Sequence, residues 1–196
     1  MRYLILLCLL VVATPAEATT YYMSSTASNG YSVGNDSNNC AAAQSKSTPK
    51  LGIVSAMTCL VGGDELSINA GNYDNQTITN PPAGSAGALT WIHGDSAGAR
   101  PVFRPTQDNA VFTRRGFSCT GGSACSYIRV EYIEVFRAYN SVNTVPSVTT
   151  PQTYPHHLEF INNKFCHTIH TNVLQGFSTT GFVGGNHLWK QNEFCF

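Results

Sequence analysis

Over most of the chain, apolar and polar residues alternate in short runs. After Gly63 these include Leu66-Ser67-Ile68, Leu89-Thr90-Trp91-Ile92, Val102-Phe103, Ile128-Arg129-Val130 and Ile133-Glu134-Val135. A period of two is that of half-buried strands, and Gly, Pro, Asn and Asp punctuate the runs. Strands this short suit a solenoid better than a sandwich. Residues 19–47 are rich in Ser, Asn, Thr and Gly. They read as a loop-heavy lead-in with one strand at Tyr21-Tyr22-Met23. One helix is predicted over 49–61: Thr48 is a plausible N-cap and Pro49 suits the first helical position. Leu51, Val54, Ala56, Met57, Leu60 and Val61 form its apolar stripe, and Gly62-Gly63 stops it.

A repeat organises the second half. The segment Tyr127–Phe136 aligns with His157–Cys166, and that segment aligns with Asn186–Cys195. Val130, Phe160 and Trp189 then share one apolar position, Val135, Phe165 and Phe194 another, and Asn163 and Asn192 lie between them. In a parallel solenoid each position becomes a vertical stack, with neighbours about 4.8 Å apart. Stacked Asn residues can pass amide hydrogen bonds from turn to turn; Ile133 interrupts that ladder. Sharp turns are expected at Glu131-Tyr132, Ile161-Asn162 and Lys190-Gln191. Trp91 and Trp189 are expected in apolar columns, as core residues rather than sugar platforms. Glu134, Lys164 and Glu193 alternate in sign along one column, as an exposed ion ladder does.

The chain begins Met1-Arg2, continues with an apolar run from Leu4 to Val12, and offers Ala16-Glu17-Ala18 as a cleavage site. The run is too short to span a bilayer, so residues 1–18 are predicted to be a secretory signal peptide. With 11 basic and 11 acidic side chains the net charge is zero, and charged residues are only 11%. Such a balance excludes both a disordered chain and a phosphate-tracking nucleic-acid binder. Without Cys8, six cysteines remain: Cys40, Cys59, Cys119, Cys125, Cys166 and Cys195. In an exported chain they read as up to three disulfides, whose pairing spacing alone leaves open; no C-x-x-C spacing marks a zinc site. Asn35-Asp36-Ser37 and Asn75-Gln76-Thr77 match the glycosylation sequon.

The stretch from Thr20 to Phe103 resembles the N-terminal part of secreted right-handed parallel β-helix proteins of the pectate-lyase-like superfamily. Tyr21-Tyr22-Met23-Ser24 is similar to the opening strand of that superfamily. Thr48-Pro49, the helix, and Gly63-Asp64-x-Leu66-x-Ile68-x-Ala70-Gly71-x-Tyr73 resemble its N-terminal cap and first rung, with Gly71 and Tyr73 turning the chain outward. Ser85-Ala86-Gly87, Leu89-x-Trp91-Ile92 and Arg100-Pro101-Val102-Phe103 resemble the second rung. The resemblance implies an all-β, right-handed parallel β-helix with an N-terminal capping α-helix that covers an exposed strand edge. Residues 19–62 are then the lead-in and cap, and residues 63–196 the rungs. These stop inside a strand motif at Phe196, so the chain reads as an N-terminal fragment.

By the same resemblance, substrate lies in a groove beside the long loops that start near Arg137 and His167. Arg137, His167 and His170 are the candidate catalytic residues. Enzymes of this fold acting on uronates commonly use β-elimination. Ca²⁺ or polar groups neutralise the carboxylate, and a Lys, Arg or His removes the acidified C5 proton. Hydrolases of the fold need paired Asp, whereas Asp36, Asp64, Asp74, Asp95 and Asp108 are isolated in this sequence. No D-x-D cluster marks a Ca²⁺ site, so Ca²⁺ rests on the resemblance alone. His156-His157 reads as a turn feature rather than a ligand pair. The expected protein is an exported monomer, secreted, periplasmic or on the cell surface, with polysaccharide as its partner. It is a polysaccharide lyase or, alternatively, a non-catalytic adhesive module. Within this rung frame the cysteines pair as Cys40–Cys59, Cys119–Cys125 and Cys166–Cys195. The first pair ties the lead-in to the helix and the second flanks a glycine-rich reversal. The third occupies one repeat position a rung apart.

Overall fold

The alternating runs become fifteen short strands in a computed structural model that describes residues 17–95, 99–104, 115–119, 125–138, 140–143, 155–167, 171–174 and 186–195. At residues 115, 140–143 and 171–174 the description covers the backbone alone. The strands are β1 (Thr20–Met23), β2 (Glu65–Ile68), β3 (Gly71–Asp74), β4 (Ile78–Thr79), β5 (Thr90–Gly94), β6 (Pro101–Arg104), β7 (Arg115–Ser118) and β8 (Ile128–Glu131). They continue as β9 (Glu134–Phe136), β10 (Asn140–Asn143), β11 (Leu158–Ile161), β12 (Lys164–Cys166), β13 (Thr171–Leu174), β14 (Leu188–Lys190) and β15 (Glu193–Cys195). They form three sheets, ordered β1-β2-β5-β8-β11-β14, β3-β6-β9-β12-β15 and β4-β7-β10-β13. Every pairing within them is parallel. Each turn of chain adds a strand to successive sheets, which makes the fold a parallel β-helix.

The inward positions stack in files, and the repeat sets their register. Leu66, Ile92, Val130, Phe160 and Trp189 lie on successive rungs of the first sheet. Tyr73, Phe103, Val135, Phe165 and Phe194 do so in the second. Phe160 stacks on Trp189 at 4.4 Å and Tyr73 on Phe103 at 5.2 Å, while Phe117 of the third sheet meets Phe160 edge-on. Fully burying one such side chain stabilises the fold by about 1.5–3 kcal/mol. Tyr73 lies within β3 with its side chain inward and fully buried. Its hydroxyl donates to the Asn69 carbonyl at 2.8 Å, and burial pushes its pKa up to about 12.

Trp91 corrects an expectation. It pairs with Glu65 and Arg129 and is half-buried on the outward side, while its neighbour Ile92 takes the core position. A one-residue change of parity flips a strand residue to the other face.

The expected sharp turns fall where predicted. Tyr132, Asn162 and Gln191 adopt left-handed φ of 54°, 53° and 53°, a region that non-glycine residues rarely enter. Tyr127, His157 and Asn186 form a second left-handed file, with φ of 56°, 54° and 64°. Between the first two sheets runs the asparagine ladder. Asn163 donates through Nδ2 to the Val130 carbonyl at 2.9 Å and accepts the Ile133 N–H at 3.0 Å. Asn192 repeats the pattern one rung on, donating to the Phe160 carbonyl and accepting the Asn163 N–H. The ladder satisfies backbone groups more than it links amide to amide, and so Ile133 can end it without leaving an orphan donor. In the ion column, Lys164 approaches Glu193 at 3.9 Å.

The helix differs from its expected bounds of 49–61. Only Ile53–Met57 (α1) is α-helical, with a short 3₁₀ turn at Ala42–Gln44 upstream. Thr48 is not the N-cap; its hydroxyl donates to the Ala42 carbonyl. Lys50 is drawn into a parallel bridge with Met23. Its N–H donates to the Tyr22 carbonyl and its carbonyl accepts the Ser24 N–H, both at 2.9 Å. These bonds hold Lys50 along the outer edge of β1. Asp36 accepts the N–H groups of Leu51 and Gly52, and Gln76 that of Ile53. Ile53, Ala56 and Leu60 are buried, but Leu51, Val54 and Val61 are exposed.

Three disulfides join Cys40 to Cys59, Cys119 to Cys125 and Cys166 to Cys195, with Cα separations of 5.3, 5.7 and 4.6 Å. The lead-in is pinned again where Lys46 Nζ meets Asp95 at 2.8 Å and lies 4.6 Å from the Tyr31 ring centroid. No helix among the described residues is long and apolar enough to cross a membrane. The apolar run Leu4–Val12 lies outside the described residues.

Candidate functional site

The second sheet ends at a corner of the coil, and its last residues form a file. Asp74 and Arg104 lie in register on β3 and β6; Phe136, Cys166 and Cys195 lie in register on β9, β12 and β15. The next residue in each described rung turns left-handed: Asn75 at φ 61°, Arg137 at 59° and His167 at 53°. Their N–H groups donate to the strand-end carbonyl one rung on: Asn75 to Arg104, Arg137 to Cys166 and His167 to Cys195, at 2.9–3.1 Å. The corner backbone is thus fixed by the ladder, and the side chains project from it. Arg137 and His167 are exposed.

Phe136 gathers these groups. The Arg137 guanidinium carbon lies 5.2 Å from its ring centroid and that of Arg104 5.9 Å, and the His167 ring meets it edge-on at 5.0 Å. Arg104 also faces Asp74 at 4.0 Å. A guanidinium group can lie over an aromatic ring and still bind a carboxylate through its forked donors, and imidazole is a side chain that can serve as a base. The geometry therefore brings Arg137 and His167 together, while His170 lies outside the described residues. Arg104 was missed in the sequence. Its signal was the second-rung strand Pro101–Arg104, whose last residue belongs to the same file. Asn75, at the first-rung corner, also lines a cavity of about 310 Å³ with Asp36, Ser55, Gln76 and Thr77.

A second polar group sits on the outward face of the first sheet. His93 Nε2 lies 2.6 Å from Glu65 Oε1, its Nδ1 lies 2.8 Å from the Gly94 carbonyl, and Thr20 donates to Glu65 Oε2 at 2.8 Å. Both ring nitrogens are thus held by oxygen partners. Trp91 stacks on the ring at 4.1 Å. The Glu65 carboxyl is held below its ordinary value, chiefly by the His93 hydrogen bond, against the opposing push of burial.

The isolated aspartates have separate tasks. Asp36 holds the amides before α1, Asp64 accepts the N–H groups of Thr19 and Val61, and Asp95 pairs with Lys46. Among the described residues no three His, Cys, Asp or Glu side chains are gathered to hold an ion. These residues therefore offer no Ca²⁺ ligand set.

Two solved structures share this architecture. A pectate lyase, Pel9A, superposes with a TM-score of 0.54 at 22% identity, covering 78% of this chain and 34% of its own. A rhamnogalacturonan lyase superposes with a TM-score of 0.50 at 18% identity, covering 91% of this chain and 50% of its own. The chain thus spans between a third and a half of the length of these proteins. At such identities the likeness establishes the fold, a parallel β-helix of the kind those lyases use. No protein-family model matches the chain, and no curated protein sequence does.

Proposed function

We propose that the chain is an exported carbohydrate-active protein of polysaccharide-lyase type, acting on an acidic, uronate-containing polysaccharide by β-elimination. The observation that carries this reading is the cationic, aromatic corner of Arg104, Phe136, Arg137 and His167, set on a fold like that of two polysaccharide lyases. In this reading the two guanidinium groups take a uronate carboxylate, so that Arg137 acts as a carboxylate ligand, and Phe136 supports a sugar face; His167 takes the acidified C5 proton while the C4–O bond breaks, the C4=C5 double bond forms and the released glycosidic oxygen takes a proton from water. His170 remains a further candidate for that proton. The coil is right-handed, α1 and the lead-in of 19–62 cap it, and residues 63–196 supply the rungs. Residues 1–18 direct export, a route with which three disulfides agree. The protein works as a monomer.

The test is the ultraviolet absorbance of unsaturated uronates released from pectin, alginate and glycosaminoglycan, with and without Ca²⁺. A signal that Arg137→Gly abolishes in a folded protein supports the reading. No signal on any substrate overturns the catalytic part. A second reading, a non-catalytic adhesive module, draws on the arrangement of Arg104, Arg137 and His167 along a file around one ring. Retarded migration in gels cast with these polysaccharides, without product formation, selects it.

A further inference from the structure

Beside the cap, the cavity of about 310 Å³ lies among Asp36, the start of α1 and the turn between β3 and β4. Its walls are set by bonds within the protein. Asp36 Oδ1 accepts the N–H groups of Leu51 and Gly52 at 3.0 and 2.8 Å, and the Asp36 carbonyl accepts Lys50 Nζ at 3.2 Å. Gln76 Oε1 accepts the Ile53 N–H at 2.7 Å, and Asn75 donates its N–H to the Arg104 carbonyl at 2.9 Å. These bonds leave polar atoms over. Asp36 Oδ2, the Gln76 amide nitrogen and the side chains of Asn75 and Thr77 have no hydrogen-bond partner among the described residues. Val54 adds an apolar stretch of wall, and Asp36 is the one charged residue in the lining.

We propose that this cavity is a binding site for one neutral sugar unit, held through its hydroxyls by Asp36, Asn75, Gln76 and Thr77. Small-ligand pockets start at about 300 Å³, so the space suits a single ring rather than a length of polymer. Each sugar hydroxyl both donates and accepts, and the lining offers a carboxylate oxygen to accept beside amide and hydroxyl groups that donate. A hydroxyl given to a carboxylate makes the stronger, charge-assisted kind of bond. Val54 offers apolar surface to the C–H face of the ring. A uronate is disfavoured, because its carboxylate meets that of Asp36. The Leu51, Gly52 and Ile53 N–H groups, which could have answered an anion, already serve Asp36 and Gln76. The proposal deepens the polysaccharide reading above and rests on it for the source of the sugar. Asn75 stands two rungs, about 10 Å, before Arg137 in the corner file. A chain lying along the axis then sets a neutral unit at the cap and a uronate at the corner.

The experiment titrates the ¹⁵N-labelled full chain with glucose, galactose, mannose, xylose and rhamnose, and with galacturonate as the acidic counterpart. The amide resonances of Gly52, Ile53 and Thr77 read the cavity, and those of Arg137 and His167 read the corner. At least one neutral sugar is expected to shift the cavity amides to saturation, with galacturonate at least about 10-fold weaker there. Asp36→Asn keeps Oδ1 for Leu51 and Gly52 but puts a donor in place of Oδ2. It should lower the affinity for the neutral sugar about 10-fold and narrow the gap to galacturonate. Should that variant fail to fold, Thr77→Val, which keeps the side-chain size, decides by an affinity about 3-fold lower. Cavity shifts support the site whether or not the protein releases unsaturated uronates, so this proposal and the lyase reading fail separately. No cavity shift with any neutral sugar, galacturonate bound there as tightly, or an affinity unchanged in the folded variants overturns it.

Discussion

His93 and Glu65 join neighbouring rungs through a 2.6 Å contact between Nε2 and Oε1, on the outward side of the first sheet. The pair locks β5 to β2, and Thr20 extends it to β1. The Glu65 carboxyl titrates below its ordinary 4.5 in the folded chain, held down first by the His93 hydrogen bond. Its contribution is therefore fully present above the unfolded value and is lost as the pH falls through the folded one. Urea melts from about pH 5 to about pH 3 should show a steeper loss in the wild-type protein than in Glu65→Gln. At pH 7 the variant should lose about 1 kcal/mol, the modest figure reflecting partial exposure.

Asn163 should be far less tolerant than Asn192. Asn163 is fully buried and serves the backbone at Val130 and Ile133. Asn163→Leu strands a buried carbonyl and a buried N–H, at an expected cost of about 2–4 kcal/mol. Asn192 is half-buried, and water can replace part of what it gives. Chemical denaturation of the two variants side by side measures the difference.

The disulfides should rank by the loops they close. Cys166–Cys195 closes a separation of 29 and Cys119–Cys125 one of 6. On the chain-entropy account the longer link contributes about 3–4 kcal/mol and the shorter about 2 kcal/mol. Paired Cys→Ala variants, compared by denaturant midpoint, test the order. Peptide mapping without reduction should recover all three links, and Cys166 joined to Cys40 would break the rung register.

Arg137 offers a way to separate chemistry from architecture. Its backbone is left-handed, where glycine is at no steric disadvantage. Arg137→Gly should leave stability unchanged or raise it by up to about 1 kcal/mol. The same change removes a guanidinium from Phe136 and should weaken retention by acidic polysaccharide about 10-fold, read by affinity electrophoresis. Arg104→Ala should do the same without the gain in stability.

Much of the coil was legible because its register is written in residue identity. Phe160 over Trp189, Phe165 over Phe194 and Cys166 over Cys195 follow directly from the repeat spacing. The turns at Tyr132, Asn162 and Gln191 follow from the same frame. Trp91 was misplaced because Leu89-Thr90-Trp91-Ile92 offers two parities, and only pairing with β2 and β8 selects Ile92 as inward. The helix was overextended because Lys50 bonds to β1, a partner far away in sequence that outweighs the local signals of Thr48 and Pro49. The candidate site was half visible. Arg137 and His167 stood out by their place in the repeat, whereas the pairing of β3 with β6 was needed to bring Arg104 to the same edge.

The left-handed corners have a consequence for what this surface can become. At Asn75, Arg137 and His167 the main chain is held by bonds to the next rung, so the fold makes little demand on the side chain. Arg137 and His167, on neighbouring rungs, make a rail of interchangeable fittings at a pitch of about 4.8 Å. A polymer lying along the coil axis would meet both, whereas one lying across it would meet a single fitting. Preference among charged chains can then be rewritten one rung at a time, leaving the stacked interior untouched.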